Sequence, residues 1–245
     1  MPLRAPDFGA RAARYDELRP VDDNWWELFD VLVRAGDLRG RRVLEVGSGT
    51  GTLAVALAEQ ARVWAVDVSP EMLEVARQRD AGGHVGWRAA DASALPFRDA
   101  WFERVVMRAV VHLLDRAGAF VEARRVLRAD GRLVIASFDP AHFDRYWLND
   151  LFPSMERIDR ARFPTPEALE TELRSAGFAA VELTRLSQQA EISRNVALAK
   201  VRGKHISTFD LISEEEYEEG LARAEQELPE RFEYRVEWLI AVADG

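Results

Sequence analysis

Val43-Leu44-Glu45-Val46-Gly47-Ser48-Gly49-Thr50-Gly51 is the stretch that decides the fold. Its apolar start, following Arg41-Arg42, reads as a buried strand. Glycine then stands at every second position, and Leu53-Ala54-Val55-Ala56-Leu57-Ala58 reads as a helix. The order is strand, tight glycine turn, helix. Gly47 and Gly49 can take positive φ and have no Cβ to block a ligand lying on the backbone. The helix start adds unpaired N–H groups and a positive dipole end. Such a unit opens a nucleotide-type site in a doubly wound α/β fold.

Spacing narrows the nucleotide. The dinucleotide pattern G-x-G-x-x-G needs a third glycine where this chain has Thr52; the glycine comes one residue early, at Gly51. Glu45 stands two residues before Gly47, where a carboxylate repels a diphosphate and suits a cationic amino-sulfonium ligand. The form E-x-G-x-G-x-G resembles motif I of the class I S-adenosylmethionine-dependent methyltransferases.

Length and composition fit that class. The chain has 245 residues, 48% of them hydrophobic, enough for one α/β domain with an elaboration. There is no cysteine, which excludes disulfides, thiolate metal sites and cysteine nucleophiles. Met1 to Asp7 lacks the apolar core of a signal peptide, no apolar run approaches the roughly 18 residues that span a bilayer, and the expected setting is cytoplasmic. A net charge of −9 disfavours sequence-independent binding to nucleic acid or anionic membrane, although Arg194 to Lys204 is locally basic.

Further segments extend the resemblance. Val63-Trp64-Ala65-Val66 predicts a second strand ending in Asp67, which lies 22 residues after Glu45. An acid about that far on, at a strand tip, can accept both ribose hydroxyls. Ser69-Pro70-Glu71 then opens a helix, with Ser69 as its cap. Met72 reads either as an adenine contact or as core. Asp91-Ala92-Ser93-Ala94-Leu95-Pro96-Phe97 resembles the family's D-A-x-x-L-P-F segment, which implies that Asp91 and Ala92 meet the adenine edge. Phe102 to Met107 predicts the fourth strand, with Glu103 where the family usually has Asp. Arg108 to Leu113 resembles the segment leading into a leucine-histidine-histidine turn, with His112 on the second histidine position. A Tyr15-Asp16-Glu17-Leu18-Arg19 start resembles many small-molecule methyltransferases; Tyr15 and Arg19 either close over the ligand or pack.

The resemblance covers residues 15 to 138 and 165 to 181, and is nearest to the ubiquinone- and menaquinone-biosynthesis-like branch. It implies a Rossmann-like, seven-stranded, mostly parallel sheet in the order 3-2-1-4-5-7-6 with the last strand antiparallel. It also implies S-adenosylmethionine as cofactor. The cofactor contacts are then Tyr15, Arg19, Glu45, Gly47, Ser48, Gly49, Asp67, Val68, Met72, Asp91, Ala92, Arg108 and His112.

Helices are expected over 14 to 34 and 116 to 128; the second ends in a segment like the family's R-V-L-K-P-G-G, with Ala129-Asp130 in place of Pro-Gly but Gly131 kept where a helix stop needs left-handed geometry. A fifth strand is expected over Leu133 to Phe138, a sixth over Val181 to Leu186 and a seventh over Tyr234 to Val242. Ser213-x-x-Glu216 reads as a capping box opening an acidic helix. One domain spans the chain, with cap elements at about 139 to 163 and 190 to 228.

The first cap segment is dense in aromatic residues, and Phe143, Tyr146 and Trp147 are expected to bind the acceptor, with His205 and the nearby Lys200 and Lys204 at the rim. The alternative is a small satellite core. His112, His142 and Asp139 are candidate bases; a metal site at Asp139, His142 and Asp144 lacks further ligands, and no metal is expected. The function that follows is methyl transfer to a small, planar or apolar molecule. The rivals are a non-catalytic cofactor-binding protein and a nicotinamide oxidoreductase. Oligomeric state is left open.

Overall fold

The computed structural model describes residues 9–245, so the stretch weighed against a signal peptide lies outside the described residues. The chain runs α1 (Asp23–Gly36), β1 (Arg42–Val46), α2 (Thr52–Ala58), β2 (Arg62–Asp67), α3 (Pro70–Arg79) and β3 (Val85–Ala89). Then come β4 (Phe102–Arg108), α4 (Arg116–Val126), β5 (Leu127–Phe138), α5 (Met155–Arg162) and α6 (Pro166–Ser175). β6 (Ala180–Ser193), α7 (Arg194–Arg202), α8 (Glu214–Glu227) and β7 (Arg231–Asp244) complete it.

The strands form one seven-stranded sheet in the order β3-β2-β1-β4-β5-β7-β6. The first five pair in parallel, and β7 is antiparallel to both neighbours, as expected. β1 reads apolar throughout because both of its faces are covered. Val43 joins Leu28 and Leu32 of α1 and Leu53 and Leu57 of α2 on one side. Leu44 and Val46 join Phe120 of α4 and Leu169 of α6 on the other. β1 lies between β2 and β4, where the strand order reverses, so a crevice opens at their carboxyl ends.

Several boundaries differ from the sequence expectation. Helix was predicted from residue 14, yet α1 starts at Asp23, because the Asp22 side chain caps it by accepting the Trp25 N–H at 2.9 Å. Residues Gly9–Arg14 form a separate 3-10 turn. Gly131 does not adopt positive φ. A Cβ there would lie 2.8 Å from the Arg128 carbonyl oxygen, so close backbone approach, not a left-handed stop, selects glycine. α4 runs directly into β5, which begins at Leu127, six residues before the predicted start at Leu133.

The predicted sixth and seventh strands are parts of a longer ribbon. β6 and β7 pair from Ala180 opposite Asp244 to Ser193 opposite Arg231. β5 leaves β7 at Phe138 opposite Trp238. Beyond that point the ribbon continues alone past the carboxyl ends of the parallel strands, and there it carries α7 and α8. The capping box is half formed. Ser213 Oγ accepts the Glu216 N–H at 3.1 Å, but the Glu216 carboxylate accepts from Ser154 N at 2.8 Å and Ser154 Oγ at 2.6 Å. It thereby ties α8 to the first cap segment. Leu148, Phe152 and Met155 from that segment share a separate core with Ile192, Val201, Phe209 and Ala224. No helix among the described residues is long and apolar enough to cross a membrane.

Candidate active site at the switch point

The glycine turn after β1 is shaped by three different demands. Gly47, Gly49 and Gly51 all have positive φ. A Cβ on Gly47 would meet Val110 at 2.3 Å, and one on Gly51 would meet Trp87 at 2.5 Å. Gly49 faces open space, so its bare backbone is available to a ligand. In the loop after β4, Ala109 has a φ of 52°, unusual for a side-chain-bearing residue. Its left-handed turn precedes Val110, which packs on Gly47.

Glu45 is 3% exposed, and its Oε2 has no hydrogen-bond partner among the described residues. Burial pushes its carboxyl up to about 8; Arg108 and the Ala54 backbone oppose this, while Asp67 adds to it. A buried carboxyl with one oxygen unpartnered, at the foot of an open glycine turn, suits a cationic group. Asp67 Oδ2 accepts the Gly49 N–H at 2.7 Å, and Oδ1 accepts the Ser69 N–H at 2.9 Å. It fastens the turn to the tip of β2, and burial holds its carboxyl above the ordinary value. Next to it Val68 is 71% exposed. Met72 is buried, and its N–H bonds the Ser69 cap at 3.2 Å. Ala92 is buried, while Asp91 is exposed and uses Oδ1 for both Ser93 contacts, N–H at 2.8 Å and Oγ at 2.6 Å. Ser48 is buried, and its Oγ has no hydrogen-bond partner among the described residues.

Residues 9–19 strap across the site. Asp16 accepts from Thr50 Oγ1 at 2.7 Å and pairs with Arg79, whose Nε donates to the Thr50 carbonyl at 3.0 Å. At the other end Arg11 pairs with Asp210, Arg19 donates to the His205 carbonyl, and Lys200 Nζ donates to the Leu18 carbonyl at 2.6 Å. Arg19 lies over the Tyr15 ring at 3.8 Å. These strap anchors were not read from the sequence. Asp16 lay within the quoted Tyr-Asp-x-x-Arg start, but its partners are distant in the chain.

The cap wall is a run of rings. His112 stacks on Phe163 at 4.1 Å, and His142 stacks on Phe138 at 4.8 Å. His142 also meets Phe143 at 5.4 Å and Tyr146 at 4.6 Å. Burial pulls both imidazoles below their ordinary value, His112 far below and His142 to about 4, so both are neutral near pH 7. Each leaves Nδ1 without a partner among the described residues. Asp139 is otherwise engaged: it caps the 3-10 turn Pro140–Asp144 and accepts from Arg185 at 2.7 Å. Asp144 pairs with Arg160, and no His, Asp and Glu group among the described residues has a metal-holding arrangement.

The aromatic segment divides in two. Phe143, Tyr146 and Phe163 gather round the histidines. Trp147 lies between Tyr146 at 6.2 Å and His205 at 6.3 Å, and Phe152 is locked into the cap core against Phe209. Lys204 lies over Tyr217 at 4.1 Å, near Glu214.

The donor set at the ends of β1, β2 and β4 thus fits a cationic, ribose-bearing cofactor, and comparison with known proteins agrees. A profile described as "Methyltransferase domain" matches residues 44–135. The ubiquinone/menaquinone biosynthesis C-methyltransferase of Desulfotalea psychrophila is 36% identical over 141 residues, 54% of this chain and 57% of that one. The demethylmenaquinone methyltransferase of Clavibacter sepedonicus is 34% identical over 212 residues, 73% of this chain and 86% of that one. The chain belongs to the class I S-adenosylmethionine-dependent methyltransferases, in the ubiquinone/menaquinone-like branch. Its cofactor is S-adenosylmethionine. The fold is shared with an Anabaena variabilis protein from an antibiotic biosynthesis pathway, with a TM-score of 0.74, 23% identity, and coverage of 88% and 96% of the two chains. The nicotinamide reading fails with this assignment, in keeping with Thr52 opening α2 where a third glycine would stand.

Proposed function

We propose that this methyltransferase alkylates a small, planar acceptor held between the glycine turn and the ring-lined cap. The observation that carries the reading is the buried Glu45 carboxyl at the end of β1, whose Oε2 has no partner among the described residues, two residues before a glycine turn with an open face at Gly49. S-adenosylmethionine supplies an activated methyl group on a sulfonium centre. In this reading Glu45, Gly47, Ser48, Gly49 and Arg108 hold its methionine part. Asp67 accepts the ribose hydroxyls, while Val68, Met72, Asp91 and Ala92 hold the adenine. Tyr15 and Arg19 close from the strap. Phe143, Tyr146, Trp147 and His205 orient the acceptor, and His112 and His142 offer Nδ1 to an acceptor O–H or N–H.

The chain's contribution is to align the acceptor atom and exclude water. His142, pulled down to about 4, is a hydrogen-bond acceptor far more than a strong base at neutral pH. Asp139 is committed to its cap and to Arg185, which supports no base role for it. The net charge of −9 supports an acceptor other than nucleic acid. The test is a turnover screen of small planar phenols, quinols and amines, read as release of S-adenosylhomocysteine. Release that depends on the acceptor supports the reading. Tight cofactor binding with no turnover on any acceptor favours a non-catalytic binding protein.

A further inference from the structure

The cap side of the site gathers more positive charge than its own carboxylates answer. Arg19 comes from the strap, Arg108 from the end of β4, Arg162 from the end of α5 and Lys200 from α7. Arg108 lies over the Trp25 ring at 5.8 Å and feels Glu45 and Tyr15. Arg162 pairs with Asp159 at 3.5 Å and donates to Ser207 Oγ at 2.9 Å and Thr208 Oγ1 at 3.2 Å.

Arg19 and Lys200 are not matched. They are neighbours whose hydrogen bonds among the described residues go to backbone carbonyls: Lys200 bonds Leu18, next to Arg19, and Arg19 bonds His205, whose own N–H bonds the Lys200 carbonyl at 3.1 Å. The carboxylates that feel them are committed elsewhere. Asp16 holds Thr50 and Arg79, and Asp22 caps α1. The other titratable neighbours, His112, His205, Tyr15 and Tyr146, supply no anion; burial holds both histidines far below their ordinary value. Burial and Arg19 together pull Lys200 down to about 8, the mark of a cation short of a counter-charge.

Two like charges, partly buried side by side, are costly until an anion joins them, and an oxyanion there gains charge-assisted bonds from both. We infer that the methyl acceptor carries an oxyanion, a carboxylate or a phosphate, that docks between Lys200 of the cap and Arg19 of the strap. This rests on the methyl-transfer reading above. The same chemistry has a second source, the carboxylate of the cofactor itself. Lys200 favours the acceptor, because it sits on α7, whose Leu198 and Val201 pack in the cap core against Tyr146 and Trp147.

The test is a calorimetric titration of protein saturated with S-adenosylhomocysteine, using benzoate and its neutral counterpart benzamide. Wild type is expected to prefer benzoate by at least roughly tenfold, the scale of one hydrogen bond to a charged group. Lys200→Met should remove the preference and Lys200→Arg should keep it, with thermal melts checking that both variants fold. Equal binding of the two probes, or a preference that survives in Lys200→Met, overturns the inference. Mutual displacement of benzoate and S-adenosylhomocysteine assigns the site to the cofactor and also overturns it. Failure of wild type to bind S-adenosylhomocysteine at all would strike the methyl-transfer reading instead, and is seen separately in the saturating titration.

Discussion

The two walls of the site are built in opposite ways. The sheet wall consists of strand ends, and it carries the acids Glu45, Asp67 and Asp91, with Arg108 at the end of β4. Asp67 and Asp91 are set by backbone bonds within a few ångströms of their own strands. The cap wall consists of rings and cations from segments far apart in the chain. It is joined by side-chain ties such as Glu216 to Ser154 and Lys200 to the Leu18 carbonyl. The first wall is preorganised for a cation. The second is apolar and positive, and can be retuned without disturbing the sheet. A fold that keeps one cofactor and changes its acceptor needs that division of labour.

The comparison breaks first at the turn itself. Gly47→Ala puts a Cβ 2.3 Å from Val110 at a positive φ, and should cost about 3 kcal/mol of stability from overpacking and strain. Chemical denaturation measures it; an unchanged midpoint would show that the two loops are not tightly fitted. Next in size is Asp67→Ala, expected to weaken S-adenosylmethionine binding by about 1–3 kcal/mol. Equal affinity in calorimetry would remove Asp67 from the site.

The cap wall should respond differently. Tyr146→Ala should reduce turnover about tenfold while S-adenosylmethionine affinity stays within about a factor of two, a loss of roughly 1.4 kcal/mol confined to the acceptor step. Melting temperature must be followed alongside, since a large drop with no selective effect on acceptor use would make Tyr146 only a part of the cap core. The smallest effect is at the strap. Asp16→Ala frees Thr50 and Arg79 and should raise the cofactor's dissociation constant about threefold, the worth of a partly exposed polar contact. A change confined to acceptor KM would mean that the strap serves the cap wall alone.

The sheet wall was legible in the sequence because local backbone demands select its residues. Gly47 and Gly49 need positive φ, Asp67 must end a buried strand, and Ser69 must cap α3. Gly131 misled because glycine answers two demands, left-handed geometry and close approach, that a sequence does not tell apart. The start of α1 was present in Asp22-Asp23-Asn24, but the helix expected from residue 14 ran through Pro20 and past that cap. The cap was mostly illegible. The ribbon's outer half pairs residues such as Ile192 and Phe232, and the Glu216 tie reaches back to Ser154; neither leaves a local signal. Its aromatic density was visible, but not its partition between the histidine-lined wall and the cap core.

The most direct measurement is titration of S-adenosylmethionine into wild type and Glu45→Gln at pH 7, in two buffers of different ionisation enthalpy. Glu45, held up to about 8 by burial, is largely protonated before binding. A folded-state value above the unfolded one also means that its contribution to stability falls as pH rises from about 4.5 towards 8. A cation bound beside it favours the carboxylate, so binding should expel close to one proton from wild type, with affinity rising towards pH 8. Glu45→Gln should lose that proton and bind more weakly. The same proton count in both proteins, or no buffer dependence in wild type, would contradict a cationic cofactor seated on the end of β1.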